Sequence, residues 1–169
     1  KKPYDHKSTS RDTWYISFLT FGEGYHNYHH KFQWDYRNGI RWFDFDPSKW
    51  SIWLLSKFGL ARELKKVDQF QIMKAKASNF LSQINEILDS FPIQIRHSYH
   101  EKLNAINIKI KNLEKSHRRT EQEVLAYFYD KKEMVRSKKI FCNKRKLQNI
   151  EFQAIMKALS IILFTIQTR

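Results

Sequence analysis

The residues with the clearest chemical potential are three histidines within five positions, His26, His29 and His30. If this stretch is helical, positions 29 and 30 lie three and four residues beyond position 26, so the three imidazoles project from one side within an arc of roughly 100°. Neutral imidazole nitrogens suit a borderline metal at about 2.0–2.2 Å, especially when neighbouring groups fix the rings by hydrogen bonds. Glu23 and Asn27 are candidates for that supporting role. The stretch therefore predicts a metal site on a helix.

The same three histidines are also compatible with an ordinary solvated helix face. A structural zinc site is not favoured, because the chain has a single cysteine, Cys142, far along the sequence. The His-Glu-x-x-His order of a zinc protease is absent. An all-nitrogen donor set suits iron, but three ligands complete the coordination of neither one metal ion nor two.

The sequence around the histidines is more specific than their spacing. From Phe18 to Phe32 it reads Phe-Leu-Thr-Phe-Gly-Glu-Gly-Tyr-His-Asn-Tyr-His-His-Lys-Phe. This string closely resembles the last histidine box of the membrane acyl-CoA desaturases, the stearoyl-CoA (Δ9) desaturase family. The resemblance continues through Gln33–Trp42 and Asp44–Trp50, in a form more like the microbial members, and covers about residues 1–67.

The resemblance implies a non-haem di-iron enzyme, an oxidoreductase of unsaturated fatty acid biosynthesis. Such an enzyme uses dioxygen and two electrons to introduce a cis double bond into a saturated acyl chain. His26, His29 and His30 would then be iron ligands, and no catalytic residue beyond them is implied. Asp35, Tyr36 and Arg37 match the pattern after the box and are given a positioning role only. Substrate-binding residues cannot be assigned.

The resemblance also implies that this chain is the C-terminal part of a longer protein, because the family's two earlier histidine boxes are absent. The chain alone is expected to be inactive and to bind a divalent metal weakly. The other four histidines do not match those boxes and are interpreted as solvated surface residues. They are His6, His97, His100 and His117.

The family further implies the partners and the location. The substrate would be a fatty acyl-CoA or another acyl carrier. A separate electron donor, a b-type cytochrome or a ferredoxin, is expected because the chain lacks the His-Pro-Gly-Gly signature of a fused cytochrome domain. The parent would lie in the endoplasmic reticulum or a bacterial inner membrane, with this segment on the cytoplasmic side. A lone cysteine suits a reducing compartment.

The elements expected to position the histidines are helical. Asp12 or Thr13 is predicted to cap a helix that carries Trp14, Phe18 and Phe21 into the histidine box. An irregular aromatic segment, 31–45, follows and contains an Asn-Gly turn.

A second helix, Pro47–Phe58, is predicted between a cap at Asp46 and a stop at Gly59. Its apolar stripe is expected to lie on the histidine helix or on a membrane surface. That stripe contains Trp50, Trp53, Leu54 and Phe58.

Residues 68–169 are predicted to be a coiled-coil-like extension of long helices, making the chain mostly α with no transmembrane span. Pro92 separates the first helix from the rest. Three series of seam residues carry the prediction. They are Phe70, Met73, Ala77, Phe80, Ile84, Ile87 and Phe91; Leu103, Ile106, Ile110, Leu113, His117, Thr120, Val124, Tyr127, Lys131 and Met134; and Leu147, Ile150, Ala154, Ala158, Ile161 and Thr165.

The net charge of +14 is compatible with an anionic membrane surface, acidic acyl-carrier headgroups or an acidic redox partner. It also leaves two other classes open. One is a non-enzymatic helical scaffold that self-associates through the extension. The other is a nucleic-acid binder, which we disfavour because the basic residues are interleaved with acids at helical spacing.

Overall fold

In a computed structural model, the protein is described over residues 1–127 and 134–168, with side chains described for 1–123 and 142–168. These residues form helices and no strand, apart from one isolated antiparallel bridge between Asp12 and Tyr25. The mostly α prediction is confirmed. The helices are α1 Ile16–Leu19, α2 His26–Lys31, α3 Pro47–Lys57, α4 Gln69–Leu88, α5 Ile93–Tyr127 and α6 Met134–Gln167.

The chain divides into two compact units, Lys1–Asn79 and Phe80–Arg169, so the division falls within α4. The proposed functional boundary after residue 67 stays a prediction. The N-terminal unit has a small aromatic core to which the residues around 67–75 also contribute. The core consists of Tyr4, Tyr28, Phe32, Val67 and Ile72, with Ile40 and Ala75 packed against it.

The histidine box forms its own short helix, α2, and the continuous helix predicted from Asp12 or Thr13 is wrong. Helix α1 ends at Leu19, and Phe21 (φ 51°) and Gly22 (φ 103°) then turn the chain through the left-handed region. A side chain at Gly22 would meet Asp46, with its Cβ only 2.9 Å from Oδ1. Tertiary packing therefore selects the turn over helical propensity.

Asp12 does act as a cap, but for α2. Its Oδ1 accepts hydrogen bonds from the backbone N–H groups of Asn27 (2.7 Å) and Tyr28 (3.1 Å), two of the donors that a helix start leaves unpaired. The N-terminal segment thus fixes the beginning of the histidine helix.

Helix α3 agrees with its prediction to within one residue. Asp46 caps it by accepting from the backbone of Lys49 at 3.0 Å, Pro47 is its first residue, and Gly59 (φ 74°) follows its end. Its apolar stripe is exposed. The exposed fractions are 43% for Trp50, 50% for Trp53, 52% for Leu54 and 72% for Phe58.

In the C-terminal unit, α5 packs against α6. In the described part of the seam predicted for α5, Ile106 is half-buried and the other five residues are buried. They are Leu103, Ile110, Leu113, His117 and Thr120. The side chains predicted to continue it lie outside the described residues. They are Val124, Tyr127, Lys131 and Met134.

The register of α6 differs from the prediction. Its buried residues are Gln148, Phe152, Ile155, Leu159 and Ile166. Three residues of the predicted seam point outward instead, since Leu147, Ile150 and Ile161 are each more than half exposed. Because α6 carries apolar residues on two sides, its periodicity alone could not choose the buried one.

We predicted no membrane-spanning stretch, and one segment bears on that prediction. Among the described residues, Cys142–Gln167 is long and apolar enough to cross a membrane by length and composition, with 22% of its apolar window buried. Ser160 and Thr165 interrupt its apolar runs, so a search for an uninterrupted run does not single it out. A core helix of a soluble protein passes the same criterion, so this stretch is weak evidence for a span.

Candidate metal centre

Helix α2 brings two of the three predicted ligands together. The Nε2 atoms of His26 and His30 lie 2.8 Å apart, and their ring centroids are 4.2 Å apart. This follows from their i, i+4 spacing within His26–Lys31. The pair lies at the surface, with the His26 side chain 46% exposed.

His29 is placed differently. Its ring centroid is 6.1 Å from that of His30, with the planes nearly perpendicular. Its Nδ1 is buried and has no hydrogen-bond partner among the described residues. A buried imidazole nitrogen without a partner is costly, so its position is compatible with a ligand to this atom.

The geometry fits a first-row metal ion. Two nitrogens held about 2.1 Å from one ion at about 90° to each other are roughly 3.0 Å apart, close to the separation of the His26 and His30 nitrogens. On the other side of the His26 ring, Nδ1 lies 3.9 Å from the carboxylate of Glu23. That separation is longer than a hydrogen bond, so a supporting role for Glu23 stays a prediction, and the two imidazoles that converge are those of His26 and His30.

Asn27, the other candidate for a supporting role, is used by the N-terminal segment. Its side-chain oxygen accepts from the backbone of Tyr4 (2.9 Å) and Asp5 (3.3 Å), and its amide donates to the carbonyls of Asp5 (2.9 Å) and Ser10 (3.2 Å). These four bonds fill the capacity of an asparagine side chain. The Asn27 side chain therefore has no hydrogen-bonding group left for a histidine.

The buried carboxylate of Asp35 binds α2 on its buried side. The side chain of Asp35 accepts from the Tyr28 hydroxyl (2.7 Å), the Val67 backbone (2.8 Å) and Arg37, whose guanidinium binds it at 2.7 and 2.9 Å and whose backbone binds it at 3.0 Å. Asp35 thus joins the histidine helix, the loop after it and the segment that leads into α4.

These contacts change the pKa values of Asp35 and Tyr28. Burial alone would raise the pKa of Asp35, but hydrogen bonds from Arg37, Tyr28 and Val67 hold that pKa below its ordinary value. Burial and the bond to Asp35 raise the pKa of Tyr28. At neutral pH the network is therefore an ionised aspartate bound by a neutral tyrosine and a charged arginine.

The sequence alone did not identify Tyr28 as part of this network. A tyrosine between histidines reads as another surface residue of an aromatic segment, yet it is 1% exposed. Asp35 and Arg37 were expected to have a positioning role, and their contacts are compatible with one.

The N-terminal unit also carries a group of aromatic side chains, most of them exposed. Phe18 stacks on Phe45 at 4.3 Å, Phe45 contacts Trp50 at 5.6 Å, and Trp14 contacts Phe18 at 6.3 Å. Lys57 lies 5.1 Å from the Trp53 ring. We call these five aromatic residues, Trp14, Phe18, Phe45, Trp50 and Trp53, the aromatic strip.

One of the histidines interpreted as solvated is not. His117 is 6% exposed, and its ring contacts Gln148 (3.2 Å) and Glu121 (3.3 Å) within the C-terminal unit. It occupies a polar position on the buried face of α5.

A short helix on which two imidazoles converge, held by a buried carboxylate on its other face, has the donor type and spacing that histidine metal sites use. Known proteins narrow this class. The chain is 47% identical over 85 residues to acyl-CoA desaturase 1 of Saccharomyces cerevisiae, and 40% identical over 88 residues to a probable acyl-CoA desaturase of Schizosaccharomyces pombe. It is 45% identical over 56 residues to an sn-1 stearoyl-lipid 9-desaturase of Synechocystis.

These matches cover 50%, 52% and 33% of this chain, and the chain spans only 17% or 18% of the length of each relative. They show that about half of the chain is a segment homologous to the fatty acid desaturases, as the histidine box predicted. No protein-family model and no solved structure matches the chain.

Proposed function

We propose that this chain carries part of the iron-binding region of a membrane fatty acyl desaturase. The observation that carries the proposal is the convergence of His26 and His30 within a segment homologous to named desaturases. The reaction would remove one hydrogen from each of two adjacent methylene groups of a saturated acyl chain, while dioxygen, two electrons and two protons are consumed and both oxygen atoms leave as water.

His26, His29 and His30 would hold iron, with the remaining ligands of a two-iron site supplied from outside this chain. When bound, iron supplies the oxidising power that an unactivated C–H bond requires. The chain itself orients the imidazoles through α2. Glu23, whose carboxylate lies 3.9 Å from Nδ1 of His26, is the neighbour that would move closer to support this ring when a metal is bound.

With three ligands of a two-iron site, the chain alone is expected to bind Fe(II) weakly and to catalyse no desaturation. Anaerobic Fe(II) titration followed by Mössbauer spectroscopy should show no spin-coupled pair. A variant with His26→Ala, His29→Ala and His30→Ala should lose even the weak binding, whereas His97→Ala should not change it. A stoichiometric coupled pair in the isolated chain, or unchanged binding by the triple variant, contradicts this assignment.

The names of the relatives include both acyl-CoA and lipid substrates, so we propose a long acyl chain as the substrate and leave its carrier open. A separate b-type cytochrome or ferredoxin would deliver the electrons. We further propose that the parent lies in the endoplasmic reticulum or a bacterial inner membrane, with this segment on its cytoplasmic side.

The aromatic strip supports a membrane surface as a partner, because tryptophan favours the bilayer interface and nearby lysines favour anionic lipid. The full chain should therefore float with vesicles that contain phosphatidylserine, and Trp50→Ser with Trp53→Ser should weaken this flotation several-fold. Ile93→Ser, which changes an exposed apolar residue elsewhere, is the control. Equal flotation of all three proteins would argue against membrane contact through α3.

A helical scaffold is the second candidate, and the outward face of α6 favours it. Leu147, Ile150 and Ile161 form an exposed apolar series at the spacing of a helix–helix seam. Self-association through this face stays a prediction, which sedimentation at several protein concentrations would decide. We propose no nucleic-acid partner.

A further inference from the structure

Tyr28 lies on the face of α2 opposite the histidine pair. At about 100° per residue, position 28 is roughly 180° around the helix from the midpoint between positions 26 and 30. The Tyr28 side chain is buried, whereas His26 and His30 are exposed. A contact that holds the Tyr28 side chain in the core therefore also holds the opposite face of α2, which carries the two imidazoles.

The Tyr28 side chain is held at both its ring and its hydroxyl. Its ring packs on Tyr4 at 5.3 Å and on Phe32 at 5.1 Å between centroids. Such packing restrains the ring, but apolar contacts are non-directional and tolerate sliding. The hydroxyl bond to Asp35 at 2.7 Å is the directional contact.

The acceptor of that bond is itself immobile. The Asp35 carboxylate is fully buried and is bound by the Arg37 guanidinium at two points, by the Arg37 backbone and by the Val67 backbone. A carboxylate held by four other N–H donors offers a fixed position to the hydroxyl. A six-residue helix has little rigidity of its own and depends on such outside contacts.

We propose that the Tyr28–Asp35 hydrogen bond is a positioning lock that holds the six residues of α2 in their helical conformation, which keeps His26 and His30 one turn apart with their nitrogens face to face. Tyr28 and Asp35 are positioning residues that act through the imidazoles. The consequence for metal affinity rests on the proposed function, whereas the consequence for the imidazole pair does not.

The test is Tyr28→Phe in the full chain, because this change removes the hydroxyl and keeps the ring. The Asp35 carboxylate retains its four N–H donors, so the variant is expected to fold. Tyr4→Phe is the matched control: it makes the same chemical change in the same aromatic core, on a ring 5.3 Å away. Circular dichroism confirms that both variants are folded under the conditions used.

Two readouts are needed. In metal-free protein labelled with ¹⁵N-histidine, NMR should show the His26–His30 imidazole contact in the wild type and in Tyr4→Phe, and should show its loss in Tyr28→Phe. In titrations with Co(II) alone, Tyr28→Phe should bind at least about 10-fold more weakly, the size of effect found for outer-shell contacts at metal sites. Tyr4→Phe should stay within about twofold of the wild type in the same titrations.

The outcomes separate the two proposals. If wild-type protein binds no Co(II), the proposed metal function fails, and the NMR comparison still decides whether the lock exists. If Tyr28→Phe keeps both the imidazole contact and the affinity, the lock is overturned. The lock is also overturned if Tyr4→Phe loses as much of the imidazole contact and of the Co(II) affinity as Tyr28→Phe does. Aromatic packing would then be sufficient to explain the position of the imidazoles.

Discussion

Replacing Asp35 by alanine is expected to lower the free energy of unfolding of the N-terminal unit by about 3–5 kcal/mol, the cost of breaking a buried ion pair from one side. The change leaves Arg37 without its bidentate partner and leaves the Tyr28 hydroxyl and the Val67 N–H unpaired. Urea unfolding followed by tryptophan fluorescence measures it, since all five tryptophans lie before residue 54.

Asp44→Ala is the control for this substitution. Asp44 is partly exposed and accepts one backbone bond, from Arg41 at 2.8 Å, so its loss should cost only about 1 kcal/mol. Equal effects of the two substitutions would show that the Asp35 network contributes little.

The Asp35 effect should also depend on pH. Because the folded pKa of Asp35 is lowered, its stabilisation is present above the unfolded pKa of about 3.9 and is lost as pH falls through the folded pKa. The difference between wild type and Asp35→Ala should therefore be constant near neutral pH and shrink below about pH 4. A difference that grew on acidification would contradict the assigned direction.

Replacing Asp46 by alanine is the second large effect, expected to cost about 2–4 kcal/mol. Asp46 is fully buried, and its carboxylate caps α3 through the Lys49 N–H while also accepting from the backbone of Asn38 (2.7 Å) and Gly39 (2.9 Å). Alanine would remove the cap and leave two loop N–H groups unpaired.

Lys49, in the first turn of α3, is a second link between that helix and the loop before it. Its buried ammonium donates to the carbonyls of Gly39 (3.0 Å), Arg41 (2.8 Å) and Asp44 (3.2 Å). Asp46→Asn retains a good capping group and should cost less than half as much as Asp46→Ala in the same fluorescence measurement. A loss below about 1 kcal/mol for Asp46→Ala would mean that water replaces these contacts.

The sequence predicted those features whose causes are local. Helix α3 has a capping aspartate, a proline in its first turn and a glycine after its end, and these signals act within a few residues. The convergence of His26 and His30 could likewise be predicted from their spacing, because it depends only on α2 being helical. The family resemblance added iron as the expected metal, which donor type alone left open.

The features that could not be predicted arise from contacts between distant positions. Asp35 bonds to a residue seven positions earlier and to another 32 positions later, and no local pattern records such pairing. The break after α1 reflects the close approach of Gly22 to Asp46. In α6, two apolar faces compete, and only packing against α5 decides between them.

The most direct test of the central claim is a graft. The matched residues of yeast acyl-CoA desaturase 1, 47% identical over 85 residues, would be replaced by those of this chain, and desaturation of acyl-CoA would be measured. We expect that the graft is active, that Lys31→Ala leaves it active, and that replacing His26, His29 and His30 by alanine abolishes activity. A graft that desaturates equally well without the three histidines would contradict the account.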